Sequence, residues 1–120
     1  IYQQPANAFV AGFVGNLNAF PVIEHSVQGL KVCGGELPWH QANRPDTVYC
    51  RPEHLRVIDG EGPLRGHLLA QSSQGAQSRL LVDVGGSQPL LVDSSDNPLY
   101  AVGAPIALAI APHMLFTLNA

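Results

Sequence analysis

Charge is scarce in this 120-residue chain. Asp, Glu, Lys and Arg make up 12% of it, about half the usual share. The basic residues, Lys31, Arg44, Arg51, Arg56, Arg65 and Arg79, are scattered, and the formal net charge is -3. A protein that tracks phosphates needs clustered cations, so no nucleic-acid partner is expected. Long apolar runs are missing too. The longest clean stretch, "APIALAIA", is far short of the ~18–20 residues that span a bilayer. No basic region followed by an apolar one opens the sequence, as it would in a secretory signal. Direct membrane insertion is not expected. Cysteine occurs only at positions 33 and 50, which sets no disulfide framework and matches no metal-ligand spacing. Cys33 and Cys50 are expected as reduced, partly buried thiols.

What the chain does have is apolar residues punctuated by turn formers. Apolar side chains account for 46%, with 12 glycines and 10 prolines spread along the length. That mixture excludes disorder, which needs low hydrophobicity and high charge. The length is enough for one domain with its own core.

Helical periodicity is confined to the start. In "IYQQPANAFVAGFVGNLN", Phe9, Val10, Phe13 and Val14 fall on one stripe of a short amphipathic helix, and Gly15-Asn16 ends it. A helix this short needs a surface to cover. Beyond it the period is two. Phe20 and Val22 open one strand. In "GLKVCG", Leu30 and Val32 share a face with Lys31 opposite, and Gly34-Gly35 turns the chain. A further strand runs through Val48 and Cys50 until Pro52 stops it; "PEHL" is then a single helical turn before Arg56-Val57 resumes. "DGEGP" reads as a hinge, "LRGHLLAQ" as a strand and "SSQGAQS" as a flexible connection. "RLLVDVGGSQPLLVD" is a hairpin with Leu80, Val82 and Val84 on one face and positive φ angles expected at Gly85-Gly86. "PIALAIAP" sets Ile106, Leu108 and Ile110 against Ala107, Ala109 and Ala111, a small face that implies close approach by another strand or chain. The expected fold is mainly β: a compact antiparallel barrel of roughly seven to nine short strands over residues 17–120, preceded by one helix over residues 1–16.

Catalytic constellations are hard to find. His25, His40, His54, His67 and His113 stand apart, with no Cys or carboxylate at metal-ligand spacing. No serine sits in a Gly-x-Ser-x-Gly elbow. Asp93 and Asp96 are the nearest carboxylate pair, in "DSSDNP", a turn composition. "GGSQPL" lacks the Lys-Ser/Thr ending of a phosphate-binding loop. Trp39 is expected to cover one end of the barrel.

Two stretches carry a resemblance. "IYQQPANAFVAGFVGNLN" is similar to the segment that leaves the nucleotide-binding domain in ATP-binding subunits of ABC importers, through Tyr2, Pro5, Phe9, Val10, Ala11, Phe13, Val14, Gly15 and Asn18. "YCRPEHLRV" resembles the Arg-Pro-Glu-His/Asp motif of the C-terminal accessory domain of those subunits, through Arg51, Pro52, Glu53 and His54. "RLLVDVGGSQPLLV", "YAVGAPIALAIAP" and "MLFT" are similar to its closing strands. That module is known as TOBE, a transport-associated, oligonucleotide/oligosaccharide-binding-like barrel.

The resemblance implies a piece whose ATPase domain, with its ATP and Mg, lies upstream. It implies no catalytic residue, cofactor or metal in the piece itself. Its partners would be its own ATPase domain, a second copy of the subunit and, indirectly, membrane permease subunits. The location implied is cytoplasmic, peripheral to the inner membrane. Phe9, Phe13, Arg51, Glu53 and His54 are the implied contact residues. The implied role is regulatory and dimer-stabilising. An oxyanion-sensing role is the alternative, since some barrels of this type resemble oxyanion-binding modules, and Lys31, Arg79 and Ser87 are its candidates.

Overall fold

The computed structural model describes residues 17–27, 29–95 and 98–118. The expected helix over residues 1–16, with Phe9 and Phe13, lies outside them. The described residues form a mainly β structure of nine strands, β1 (Asn18–His25), β2 (Gly29–Val32), β3 (Gly35–Pro38), β4 (Thr47–Cys50), β5 (Arg56–Ile58), β6 (Leu64–Gln74), β7 (Gln77–Asp83), β8 (Leu90–Ser94) and β9 (Pro105–Ala109), with 3-10 turns at Pro52–His54 and Pro112–Met114. All pairings are antiparallel and run in the order β4-β1-β2-β3-β6-β7-β8, with β9 lying between β5 and β6.

Two strands bend the sheet. The first half of β1 pairs with β4 (Asn18↔Cys50 to Pro21↔Thr47), and its second half pairs with β2, with a register shift around Ile23. β6 does the same, pairing with β9 over Leu64–His67 and with β7 from His67 onward, with a shift around Leu69. An extra residue in one strand breaks the ladder locally and sharpens its twist. The result is a curled, antiparallel half-barrel.

Alternation fills its interior. Leu30 and Val32 face in while Lys31 faces out, and Leu80 and Val82 are fully buried. Trp39 belongs to the same core, its Nε1 donating to the Asn43 carbonyl at 3.0 Å. Gly35 lets the walls close: at φ 152° its position faces the Pro63 carbonyl, where a Cβ would collide with backbone. β3 therefore starts directly against β6, tied by Arg65 N–H to the Gly34 carbonyl at 2.8 Å and Glu36 N–H to the Pro63 carbonyl at 3.0 Å.

Several sequence expectations need correction. "SSQGAQS" is not a loose connection, because the β6–β7 ladder continues through Ser72↔Arg79, Ser73↔Ser78 and Gln74↔Gln77 and turns only at Gly75-Ala76. Backbone pairing holds that tip without burial. Of Gly85-Gly86, only Gly85 has a positive φ, 93°. In β9 the expected close approach is by other strands, β5 on one side and β6 on the other, with Ala107 buried and Ala109 and Ala111 half-buried. Among the described residues no helix is long and apolar enough to cross a membrane.

Candidate functional site

The Arg-Pro-Glu-His stretch forms as its composition requires. β4 ends at Cys50, and Pro52 occupies the first turn of a 3-10 helix where its missing N–H costs nothing. The His54 N–H donates to the Arg51 carbonyl at 3.0 Å, closing the turn. Pro52 and Leu55 are buried and anchor it against β8, while Arg51 and Glu53 are exposed and His54 is half-buried. The motif thus divides into an apolar anchor and a charged outer face.

In the same cleft as Glu53 lies the best-made ion pair among the described residues. Arg79 on β7 and Asp93 on β8 are cross-strand partners, and the guanidinium donates through Nε at 2.8 Å and Nη2 at 2.9 Å to the two carboxylate oxygens. The hydrogen bonds to Asp93 raise the Arg79 pKa; burial opposes them, and the charges of Asp93 and Glu53 add smaller upward contributions. Glu53, Arg56, Asp59, Asp93, Pro98 and Tyr100 line a cleft of about 560 Å³ here.

The structure gathers the three oxyanion candidates nowhere. Arg79 is committed to Asp93. Lys31 lies 3.8 Å from Glu24 and lines a different cavity from Ser87. Arg51, Glu53 and His54 are together by sequence adjacency. Nothing in the described residues tests Phe9 or Phe13.

As for chemistry, no group of three His, Cys, Asp or Glu among the described residues is placed to hold a metal. Both cysteines are free. Burial pushes the Cys50 thiol up to about 12, a minor hydrogen bond from Asn18 opposing the shift and the Glu53 charge adding to it, so its sulfur is no thiolate nucleophile near neutrality. Glu53 thus reaches, through its field, both the buried thiol and the ion pair.

Asn18 is the residue whose role sequence reasoning missed, although it stood in the quoted motif. Its buried amide donates to the Leu91 carbonyl at 2.8 Å and accepts from the Leu91 N–H at 2.7 Å. β1 and β8 share no backbone ladder, and this side chain stands in for a peptide unit where the curled sheet meets itself.

Comparison with known proteins places this architecture. The chain is 32% identical over 97 residues to an ABC transporter ATP-binding protein of Escherichia coli, covering 80% of this chain and 25% of the relative. It is 33% identical over 101 residues to a sulfate/thiosulfate import ATP-binding protein of Rhizobium meliloti, covering 74% and 25%. It is 30% identical over 123 residues to an Fe(3+) ions import ATP-binding protein of Escherichia coli, covering 98% and 35%. The chain thus spans about a quarter to a third of the length of these relatives, at their C-terminal part. A family model of the TOBE domain matches residues 48–118, from β4 to the end of the described structure. The chain belongs to the TOBE domain family.

Proposed function

We propose that this domain is a non-catalytic, regulatory and dimer-stabilising appendage of the ATP-binding subunit of an ABC-type importer. The carrying observation is the family match joined to relatives that are all ATP-binding proteins of transporters. In this reading residues 1–16 lead out of an ATPase domain, residues 17–120 form the OB-like barrel, and the location is the cytoplasmic face of the membrane beside the permease subunits. ATP and Mg belong to that ATPase domain, and the domain itself carries out no chemistry. Two ATPase domains separate and re-close during each cycle. A C-terminal domain that pairs with its twin keeps the halves at high effective concentration between cycles. Arg51, Glu53 and His54 are then outward contact residues, because Pro52 and Leu55 do the anchoring. The oxyanion-sensing alternative has no observation in its favour, since Lys31, Arg79 and Ser87 are apart and Arg79 is taken.

Sedimentation of the purified 120-residue chain tests the pairing. A monomer–dimer equilibrium with a dissociation constant of about 1–100 µM, the range of a transient contact, is the expected result. A strict monomer up to several hundred micromolar overturns the role.

A further inference from the structure

The link between β5 and β6, residues 59–63, holds two glycines in opposite circumstances. Its ends are fixed: Ile58 closes the β5–β9 ladder opposite Ala107, and the Pro63 carbonyl accepts from the Glu36 N–H at 3.0 Å. Gly62 is packed, since a Cβ there would come within 2.6 Å of Ile58 Cδ1 and 3.0 Å of the Leu108 carbonyl oxygen. Gly60 stands in the open. It is exposed, its φ is 78°, and no atom lies within 4 Å of where its Cβ would be. Among the described residues, neither the Gly60 N–H nor the Asp59 carboxylate has a hydrogen-bond or ion-pair partner. Asp59 is exposed as well. Asp59 Cγ and Gly60 N are the two ends of a five-membered ring that closes by rotation about the bonds of Asp59 alone, and glycine has no side chain to hinder the approach.

We propose that the Asp59-Gly60 junction is a site of spontaneous covalent modification, where the main chain rearranges to an isoaspartyl linkage through a cyclic imide. In the first step the lone pair of Gly60 N forms a bond to Asp59 Cγ. The nitrogen gives up its proton and the carboxyl group its hydroxyl, so one water leaves. In the second step one water adds to a ring carbonyl. When it adds at the main-chain carbonyl of Asp59, the old peptide C–N bond breaks, the nitrogen stays on Cγ, and the main-chain carbonyl becomes a free carboxylate. Addition at Cγ restores Asp59. Water is the only co-reactant, and the product keeps the mass of the chain while gaining one atom in the backbone. Among the described Asp and Asn residues, Asp59 alone precedes glycine; Asn18, Asn43, Asp46, Asp83 and Asp93 precede Ala, Arg, Thr, Val and Ser. Asp83 Oδ1 also accepts from the Gly85 N–H at 2.9 Å, and Asp93 is held by Arg79. Because Asp59 lines the cleft with Glu53, Arg56 and Asp93, the rearrangement moves a carboxylate on the wall of that cleft.

The test is incubation of the folded 120-residue chain in mildly acidic buffer at physiological temperature, beside a synthetic peptide of residues 56–64 and the full-length variant Asp59→Glu. Thermal melts show that both proteins stay folded. Digests taken over time are mapped by chromatography and mass spectrometry. The isoaspartyl form is a peptide containing residue 59 with unchanged mass and altered retention; it resists a protease that cuts before Asp and is labelled by a methyltransferase specific for isoaspartyl carboxyls. Since the junction needs no unfolding to react, the folded chain should form this product within about tenfold of the rate in the peptide. Asp59→Glu, whose ring would have six members, should lose it. A folded chain more than about tenfold slower than the peptide overturns the inference, because the fold then holds the junction shut. Product appearing at Asp83 or Asp93 as fast as at Asp59, or persisting in Asp59→Glu, overturns it too, because the site is then not selected by the open hinge.

Discussion

Cys50 shows how one buried atom sets a measurable property of the molecule. Its thiol is inaccessible to solvent, and burial raises its pKa from an ordinary 9.0 to about 12. Below pH 9 the thiol is protonated in folded and unfolded chains alike, and its contribution to stability is complete. Between 9 and about 12 the unfolded chain has lost this proton while the folded chain keeps it. The unfolded state then binds fewer protons, so stability falls as pH rises, by at most about 1.4 kcal/mol per pH unit from this group. Tyr49, whose phenol burial also shifts upward, adds a slope of the same sign. The difference between wild type and Cys50→Ala isolates the thiol: urea denaturation at about pH 8 and about pH 10.5 should show a steeper loss in the wild type, beyond a constant offset for the cavity. Equal slopes in the two proteins would show that the sulfur is not held in its neutral form.

At the scale of elements, the closure of the sheet depends on one amide. Asn18→Ala strands both the N–H and the carbonyl of the half-buried Leu91, at a cost of about 1–3 kcal/mol. Asn18→Asp keeps an acceptor for the N–H but turns a charged oxygen toward the Leu91 carbonyl, so it should be worse than alanine at neutral pH. Urea midpoints give the order wild type, Ala, Asp; a loss under about 0.5 kcal/mol for both variants would mean that β8 is secured by other contacts. This junction marks the limit of what the sequence discloses. Alternation located Leu30/Val32 and Leu80/Val82 because burial on one face is a local property. Pro52 located the turn after β4 because a missing N–H is local too. The polar residues Ser72, Ser73 and Ser78 read as loop, yet pairing with their cross-strand partners keeps them in β6 and β7. The Arg79–Asp93 pair was invisible because it depends on the register across a connection whose length is set by the fold. Asn18 was visible as a motif letter, but its acceptor and donor lie 73 residues away.

At the scale of the whole molecule, the family match and the folding unit have different boundaries. The match begins at Val48, after β1, β2 and β3. Those strands and Trp39, just after β3, put Phe20, Leu30, Val32, Leu37 and Trp39 in the core, and β1 supplies both the ladder for β4 and the Asn18 amide for β8. Each such side chain contributes about 1.5–3 kcal/mol by burial, so removing the five takes away an amount comparable to the total stability of a small domain, about 5–15 kcal/mol. A chain of residues 48–118 should therefore show no cooperative melt and little amide protection from hydrogen exchange. A chain beginning at Leu17 retains every member of the described core, which runs from Phe20 to Leu115. It should unfold in a single transition with a midpoint within about 5 °C of the 120-residue protein. Cooperative folding of the shorter piece would mean that β4 to β9 close without the first three strands. A collapse of the longer piece would place part of the essential core before Leu17, and move the domain boundary with it.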